Sequence, residues 1–156
     1  MSIIYSYFGF FGPYILTLIS LFYIIKLHNK YVILYIICQF FNVVLNFILK
    51  NLLKDPRPDN EEKFIDIQRL NIDKYGMPSG HAQTAWYNIG IIMLIDTPFY
   101  IKILSIIIAC LTIYQRYIFN NHTILQLAVG TVIGLLVAFI SHYSIKLYDC
   151  KYNSQV

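Results

Sequence analysis

Long apolar stretches are the feature that most constrains the fold of this 156-residue chain. A membrane-crossing helix needs about 20 predominantly apolar residues. Hydrophobic residues make up 58% of the chain and charged residues 13%, roughly half the charged share of a soluble domain. We therefore predict an all-α, polytopic transmembrane helical bundle of about five spans, formed by one domain over residues 1–156. The predicted spans are Tyr5 to Ile25, Tyr31 to Leu49, Ser79 to Ile95, Phe99 to Tyr117, and Thr123 to Tyr143.

Charge and cysteine content exclude several other classes of protein. The net charge is only +4 and the basic residues form no run, so nucleic acid is not an expected partner. The cysteines Cys38, Cys110 and Cys150 are scattered and odd in number, which indicates neither a disulfide framework nor a zinc site. The first 25 residues carry no charged side chain, so we expect a retained membrane helix rather than a cleaved signal peptide.

The number of spans fixes the side of the membrane on which each loop lies. With five spans, the long loop from Lys50 to Pro78 and the turn from Arg116 to His122 share one side with the N-terminus. The opposite side carries five lysines (Lys26, Lys30, Lys102, Lys146 and Lys151) against two aspartates (Asp96 and Asp149). Because basic loops are retained in the cytoplasm, we predict that the long loop faces the non-cytoplasmic side.

Three short polar segments on that predicted side contain residue types that suit phosphate-ester chemistry. Cations can hold a phosphate dianion, a helix N-terminus can offer backbone amides to it, and imidazoles can act as nucleophile and acid. A single lysine or histidine at a helix end is usually structural, but several on one face point to a site. The segments are Lys50 to Pro58, Pro78 to His81, and Arg116 to His122.

These segments resemble the type 2 phosphatidic acid phosphatase (PAP2) superfamily, whose signatures are KxxxxxxRP, PSGH and SRxxxxxHxxxD. The first two match fully, whereas the third has Gln115 in place of Ser and Gln126 in place of Asp. The stretch YGMPSGHAQ from Tyr75 to Gln83, and His122-Thr123 followed by Gln126, look like the dolichyl-diphosphatase branch, in which Gln126 is the expected residue. The resemblance covers the core from about Gln39 to Ala138. The five predicted spans are one fewer than the six-helix core of the superfamily.

The resemblance implies that His122 attacks phosphorus to form a phosphohistidine, and that His81 protonates the leaving group and then activates water. It places Lys50, Arg57 and Arg116 around the phosphate oxygens, with the backbone amides of Ser79 and Gly80 at the same helix start. Gln126 follows His122 by one helical turn, so we predict that its side-chain carbonyl accepts the imidazole N–H. This chemistry needs no cofactor and no metal, and we interpret the acids Asp59, Glu61 and Glu62 as a solvated loop.

Together these features lead to the hypothesis of an integral membrane lipid phosphatase that hydrolyses a polyprenyl (dolichyl-type) diphosphate. The expected location is an endoplasmic-reticulum-type or other internal membrane, a viral one included. The expected partners are the lipid phosphate and membrane lipid. Two alternatives stay open: a broad lipid phosphate phosphatase acting on phosphatidate-like monoesters, and a structural membrane pseudoenzyme. The pattern Gly130-(three)-Gly134 is typical of close helix packing within a bundle, and the oligomeric state stays open.

Overall fold

The computed structural model describes residues 3–27, 30–62 and 74–153, and its regular structure is helical. The helices are α1 (Ile3–Leu27), α2 (Lys30–Leu53), α3 (Gly80–Leu94), α4 (Phe99–Ile118) and α5 (Ile124–Asn153). The described residues contain no strand. The predicted all-α bundle is confirmed, although α5 continues well past its predicted end at Tyr143.

Four of the five described helices are long and apolar enough to cross a membrane, namely α1, α2, α4 and α5. Helix α3 has 15 residues, which gives it a length of about 22 Å against a hydrocarbon core of about 30 Å. The predicted third segment, Ser79 to Ile95, begins and ends at the caps of this helix. Helix α3 contacts all four other helices and buries polar residues such as Gln83 and Asn88. An apolar pattern does not distinguish such an enclosed helix from one that faces lipid.

Glycines on α5 allow that helix to pack directly against the first turns of α3. A Cβ atom on Gly130 would lie 2.6 Å from the carbonyl oxygen of Ser79, and one on Gly134 would overlap the carbonyl oxygen of Gln83. The pattern Gly130-(three)-Gly134 thus serves packing within the bundle, as predicted. This close approach holds the N-termini of α3 and α5 side by side.

Buried polar contacts set the position of α3 relative to α1 and α2. The Asn88 amide donates to the Thr17 hydroxyl of α1 at 3.1 Å. On α2, the Asn46 amide donates to the Gln83 side-chain carbonyl at 2.8 Å and to the backbone carbonyl of Pro78 at 3.2 Å. Buried polar groups are costly unless they are paired, so these bonds specify one register. They place the C-terminal end of α2 beside the start of α3.

Candidate active site

The link between α4 and α5 begins with a fixed helix end. Asn120 adopts the left-handed conformation, with φ of 49°. Its N–H donates to the carbonyl of Tyr117, and the N–H of Asn121 donates to the carbonyl of Arg116, both at 3.0 Å. This pair of bonds is a Schellman motif, which Asn at the left-handed position allows. The chain after α4 therefore turns back toward Arg116.

The same link ends in a capping box at the start of α5. The Thr123 hydroxyl accepts the N–H of Gln126 at 3.2 Å, and the Gln126 side-chain carbonyl accepts the N–H of Thr123 at 3.1 Å. These reciprocal bonds satisfy two donors that the first turn of a helix leaves unpaired. His122 therefore stands on a short backbone segment that is fixed on both sides.

The hydrogen bonds of His122 define its tautomer. The side chain is 4% exposed, its Nδ1 lies 2.9 Å from the carbonyl oxygen of Gly76, and its Nε2 lies 3.3 Å from Nη1 of Arg57. A carbonyl oxygen only accepts hydrogen bonds, so Nδ1 carries the proton. Nε2 then keeps its lone pair on the side where the arginine lies.

The surroundings of His122 keep the imidazole neutral. Burial, followed by the charges of Arg57, Lys50 and Arg116, holds the pKa of His122 well below its ordinary value of 6.5. The charge of His81 also lowers the pKa of His122. The imidazole is therefore uncharged at pH 7, the state that a nucleophile requires. The residues from all three sequence segments thus lie around one imidazole, as the topology predicted.

His81 and Arg116 face each other across α3 and α4. Nη2 of Arg116 lies 3.0 Å from Nε2 and 3.2 Å from Nδ1 of the His81 ring. The ring of Phe10 from α1 lies 5.5 Å from the ring of His81, and the Arg116 guanidinium lies 5.1 Å from the same phenyl ring. Helix α1 therefore supplies an aromatic wall that the sequence analysis missed. The ring of Tyr14 lies 6.5 Å from that of His81, and the four-residue spacing of Phe10 and Tyr14 on one helical face was the available signal.

Asn121 joins the two arginines and was also missed. It is 1% exposed, its side-chain oxygen accepts from Nη1 of Arg116, and its backbone carbonyl accepts from Nη1 of Arg57 at 2.9 Å. A single residue thus fixes both guanidinium groups next to His122. Its only sequence signal is a polar side chain directly before the histidine.

One residue of the acidic loop, Glu61, differs from the prediction of a solvated loop. Glu61 is not simply solvated, because its carboxylate lies 3.2 Å from Nη1 of Arg57. Its side chain is 19% exposed. Within the described residues, no group of three or more His, Cys, Asp or Glu side chains could hold a metal ion.

Lys50 and the start of α3 complete the cluster. Lys50 is 4% exposed and donates to the carbonyl of Tyr75 at 2.9 Å. Ser79 caps α3, and its backbone N–H donates to the carbonyl of Gln126 at 3.1 Å. The predicted use of the Ser79 amide as a phosphate donor is therefore wrong, since that amide already has an acceptor. Gly80 opens the helix, where the first N–H groups have no partner within the helix.

Gln126 does not make the predicted hydrogen bond to His122. Its carbonyl accepts from Thr123, and its amide donates to the carboxylate of Asp55 and to the carbonyl of Pro56 at 2.7 Å. The prediction assumed that both residues share one helical face, but α5 begins at Ile124, after the histidine. The acceptor for the imidazole N–H is instead a backbone carbonyl.

The fold and this cluster define a membrane-embedded helical protein with two imidazoles and three cations gathered at one end of the bundle. The sequence profile of the PAP2 superfamily matches residues 29–148, so the chain belongs to that superfamily and is a PAP2-type phosphatase.

The chain is also similar to a crystal structure described as the first transmembrane PAP2 type phosphatidylglycerolphosphate phosphatase from Bacillus subtilis. The TM-score is 0.70 at 21% identity, over 95% of this chain and 76% of the other. At this identity the likeness establishes the fold. A search of curated protein sequences found no match.

Proposed function

We propose that this lipid phosphatase removes the terminal phosphate of a polyprenyl diphosphate through a phosphohistidine on His122. The observation that carries the proposal is the orientation of that imidazole. Its Nδ1 proton is held by a backbone carbonyl, while Nε2 lies beside Arg57. A neutral imidazole whose unprotonated Nε2 faces a phosphate-binding cation is the arrangement that attack on a bound phosphate requires.

In the first step, Lys50, Arg57 and Arg116 hold the nonbridging oxygens of the terminal phosphate. These cations are in position before the reaction begins. Such preorganised charge is the usual basis of electrostatic stabilisation in phosphoryl transfer. Nε2 of His122 attacks phosphorus, and the bond from phosphorus to the bridging oxygen breaks. The electron pair stays on that oxygen, which takes a proton from His81, and the polyprenyl monophosphate leaves.

In the second step, water hydrolyses the phosphohistidine. His81 is now neutral and accepts a proton from the water, whose oxygen attacks phosphorus. The bond from phosphorus to Nε2 breaks, its electron pair returns to His122, and inorganic phosphate leaves. Both histidines are then in their starting states. Nη2 of Arg116 only donates and lies 3.0 Å from Nε2 of His81, so this contact corresponds to the neutral His81 that accepts the proton in this second step.

The choice of a diphosphate rests on the two stretches that resemble the dolichyl-diphosphatase branch, and one contact joins these stretches in the structure. Gly76 from the first stretch leaves no room for a Cβ atom beside the amide of Gln126 from the second. Gln83, the last residue of the first stretch, is buried and binds Asn42 through its amide at 2.9 Å. Gly76 thus packs against the second stretch, whereas Gln83 joins the first stretch to α2.

A comparison of lipid substrates tests the proposal. Purified protein in detergent is assayed for phosphate release from dolichyl diphosphate, dolichyl monophosphate and phosphatidate. We expect kcat/KM for the diphosphate to exceed the others by at least about tenfold, equivalent to ~1.4 kcal/mol of transition-state binding. Equal values for all three would favour a broad lipid phosphate phosphatase. No release from any of them would favour a pseudoenzyme.

We further propose that the site faces the non-cytoplasmic side of an internal membrane, which the lysine distribution favours. Asn60 lies in the loop after α2, on the predicted side of the site. Lys26 lies in the last turn of α1, on the predicted opposite side, and both residues are exposed. In a cysteine-free background and sealed microsomes, an impermeant thiol reagent should label Lys26→Cys directly. It should label Asn60→Cys only after detergent is added. Direct labelling of both variants would contradict the topology.

A further inference from the structure

Gly76 is the point where three parts of the site meet. Its N–H donates to the carbonyl of Asp55 at 2.8 Å, and its own carbonyl accepts from Nδ1 of His122. A Cβ atom at this position would lie 2.5 Å from Nε2 and 2.6 Å from Oε1 of Gln126. Both distances are far below van der Waals contact. No side chain fits here unless the Gln126 amide moves.

The Gln126 amide is held in place by its hydrogen bonds. The side chain is fully buried, and its carbonyl belongs to the capping box with Thr123. Both of its N–H donors are used, one by the Asp55 carboxylate and one by the Pro56 carbonyl. A primary amide has two donors, so any displacement would leave at least one buried group unpaired.

We propose that Gly76 is the positioning residue for the nucleophile, and that Asp55 and Gln126 lock its carbonyl against the His122 imidazole. The inference rests on the proposed function, because it takes His122 as the nucleophile. In this arrangement a neutral carbonyl, rather than a carboxylate, selects the tautomer with the proton on Nδ1. A carboxylate would also favour the charged imidazolium. The carbonyl orients the ring without that effect.

The lock also explains the residue type at position 126. Glutamate would keep the acceptor of the capping box, but it has no N–H to donate and would place a second carboxylate beside Asp55. Aspartate would in addition be one carbon shorter. Only glutamine accepts from Thr123 and donates to both Asp55 and Pro56 at the same time.

The first test reads the tautomer without any substrate. Protein labelled with ¹⁵N-histidine is studied by NMR in detergent at pH 7, and the His122 signals are assigned by their loss in His122→Ala. We expect a protonated Nδ1 and an unprotonated Nε2 in the wild type, and a mixture of tautomers in Gly76→Ala. A proton on Nε2 in the wild type would overturn the proposal, as would an unchanged spectrum in Gly76→Ala. Absence of phosphatase activity would reject the proposed function and leave this readout unaffected.

The second test exchanges donor and acceptor in the lock. Gln126→Glu should lower kcat roughly 10²-fold, because small displacements of a reacting group cost about that much, while KM changes little. Adding Asp55→Asn supplies an N–H toward the new carboxylate and should recover at least tenfold of the loss, roughly 1.4 kcal/mol. Asn51→Asp, which adds the same charge on the exposed surface of α2, serves as the control and should behave as wild type. Unchanged kcat in Gln126→Glu, or a double variant no better than the single one, would overturn the proposal.

Discussion

Replacing His122 with alanine should reduce phosphate release from the lipid substrate by at least about 10⁴-fold, because the covalent route is lost with its nucleophile. KM should change much less, since Lys50, Arg57 and Arg116 still hold the phosphate. The histidine lies in the link between two fixed helix ends, so the substitution should leave the fold intact. Circular dichroism and elution in size-exclusion chromatography check that point.

A matched control is available on α5. His142→Ala removes a histidine within α5, far from the link that holds His122, and should retain full turnover. The two variants are compared in steady-state assays at the same detergent and lipid concentrations. Turnover of His122→Ala near the wild-type value would reject the histidine as nucleophile.

Replacing His81 with alanine should slow turnover by about 10²–10⁴-fold, the usual contribution of a general acid–base residue. Unlike the first variant, this one keeps its nucleophile. It should therefore still form the covalent intermediate, but hydrolyse it slowly because no base activates the water. Rapid-quench measurements should show that the labelled protein decays more slowly than in the wild type after unlabelled substrate is added.

Phe10 packs against the His81 ring, so a substitution there tests the effect of packing while the imidazole stays in place. Phe10→Leu keeps an apolar side chain against His81 and Arg116 while it removes the aromatic ring. If His81 transfers protons itself, Phe10→Leu should change kcat by less than about tenfold. Decay of the intermediate at the wild-type rate in His81→Ala would contradict the assignment.

The convergence of the three polar segments was predictable because alternating spans place the relevant helix ends on one side. The helices confirm this, since Lys50 lies in the last turn of α2, His81 in the first turn of α3, and Arg116 in the last turn of α4. The positions of the charged and polar residues in the sequence mark these helix ends directly. The partners of each side chain were less predictable, because they depend on the path of the loops.

Gln126 and Gly76 show where sequence reasoning failed. The spacing from His122 to Gln126 suggested a shared helical face, but the helix begins only after the histidine. The actual acceptor is a backbone carbonyl in another loop, and every residue type has such a carbonyl. The bounds of α3 were predicted within one residue at each end, but apolar content did not reveal that the other helices enclose it.

The most direct measurement is to trap the covalent intermediate. Protein is mixed with polyprenyl diphosphate carrying ³²P in its terminal phosphate, quenched within milliseconds, digested and mapped by mass spectrometry. We predict an acid-labile, base-stable phosphate on the peptide containing His122, absent from His122→Ala and longer-lived in His81→Ala. Label on another residue, or turnover without any labelled protein at the shortest times, would contradict a phosphohistidine mechanism at His122.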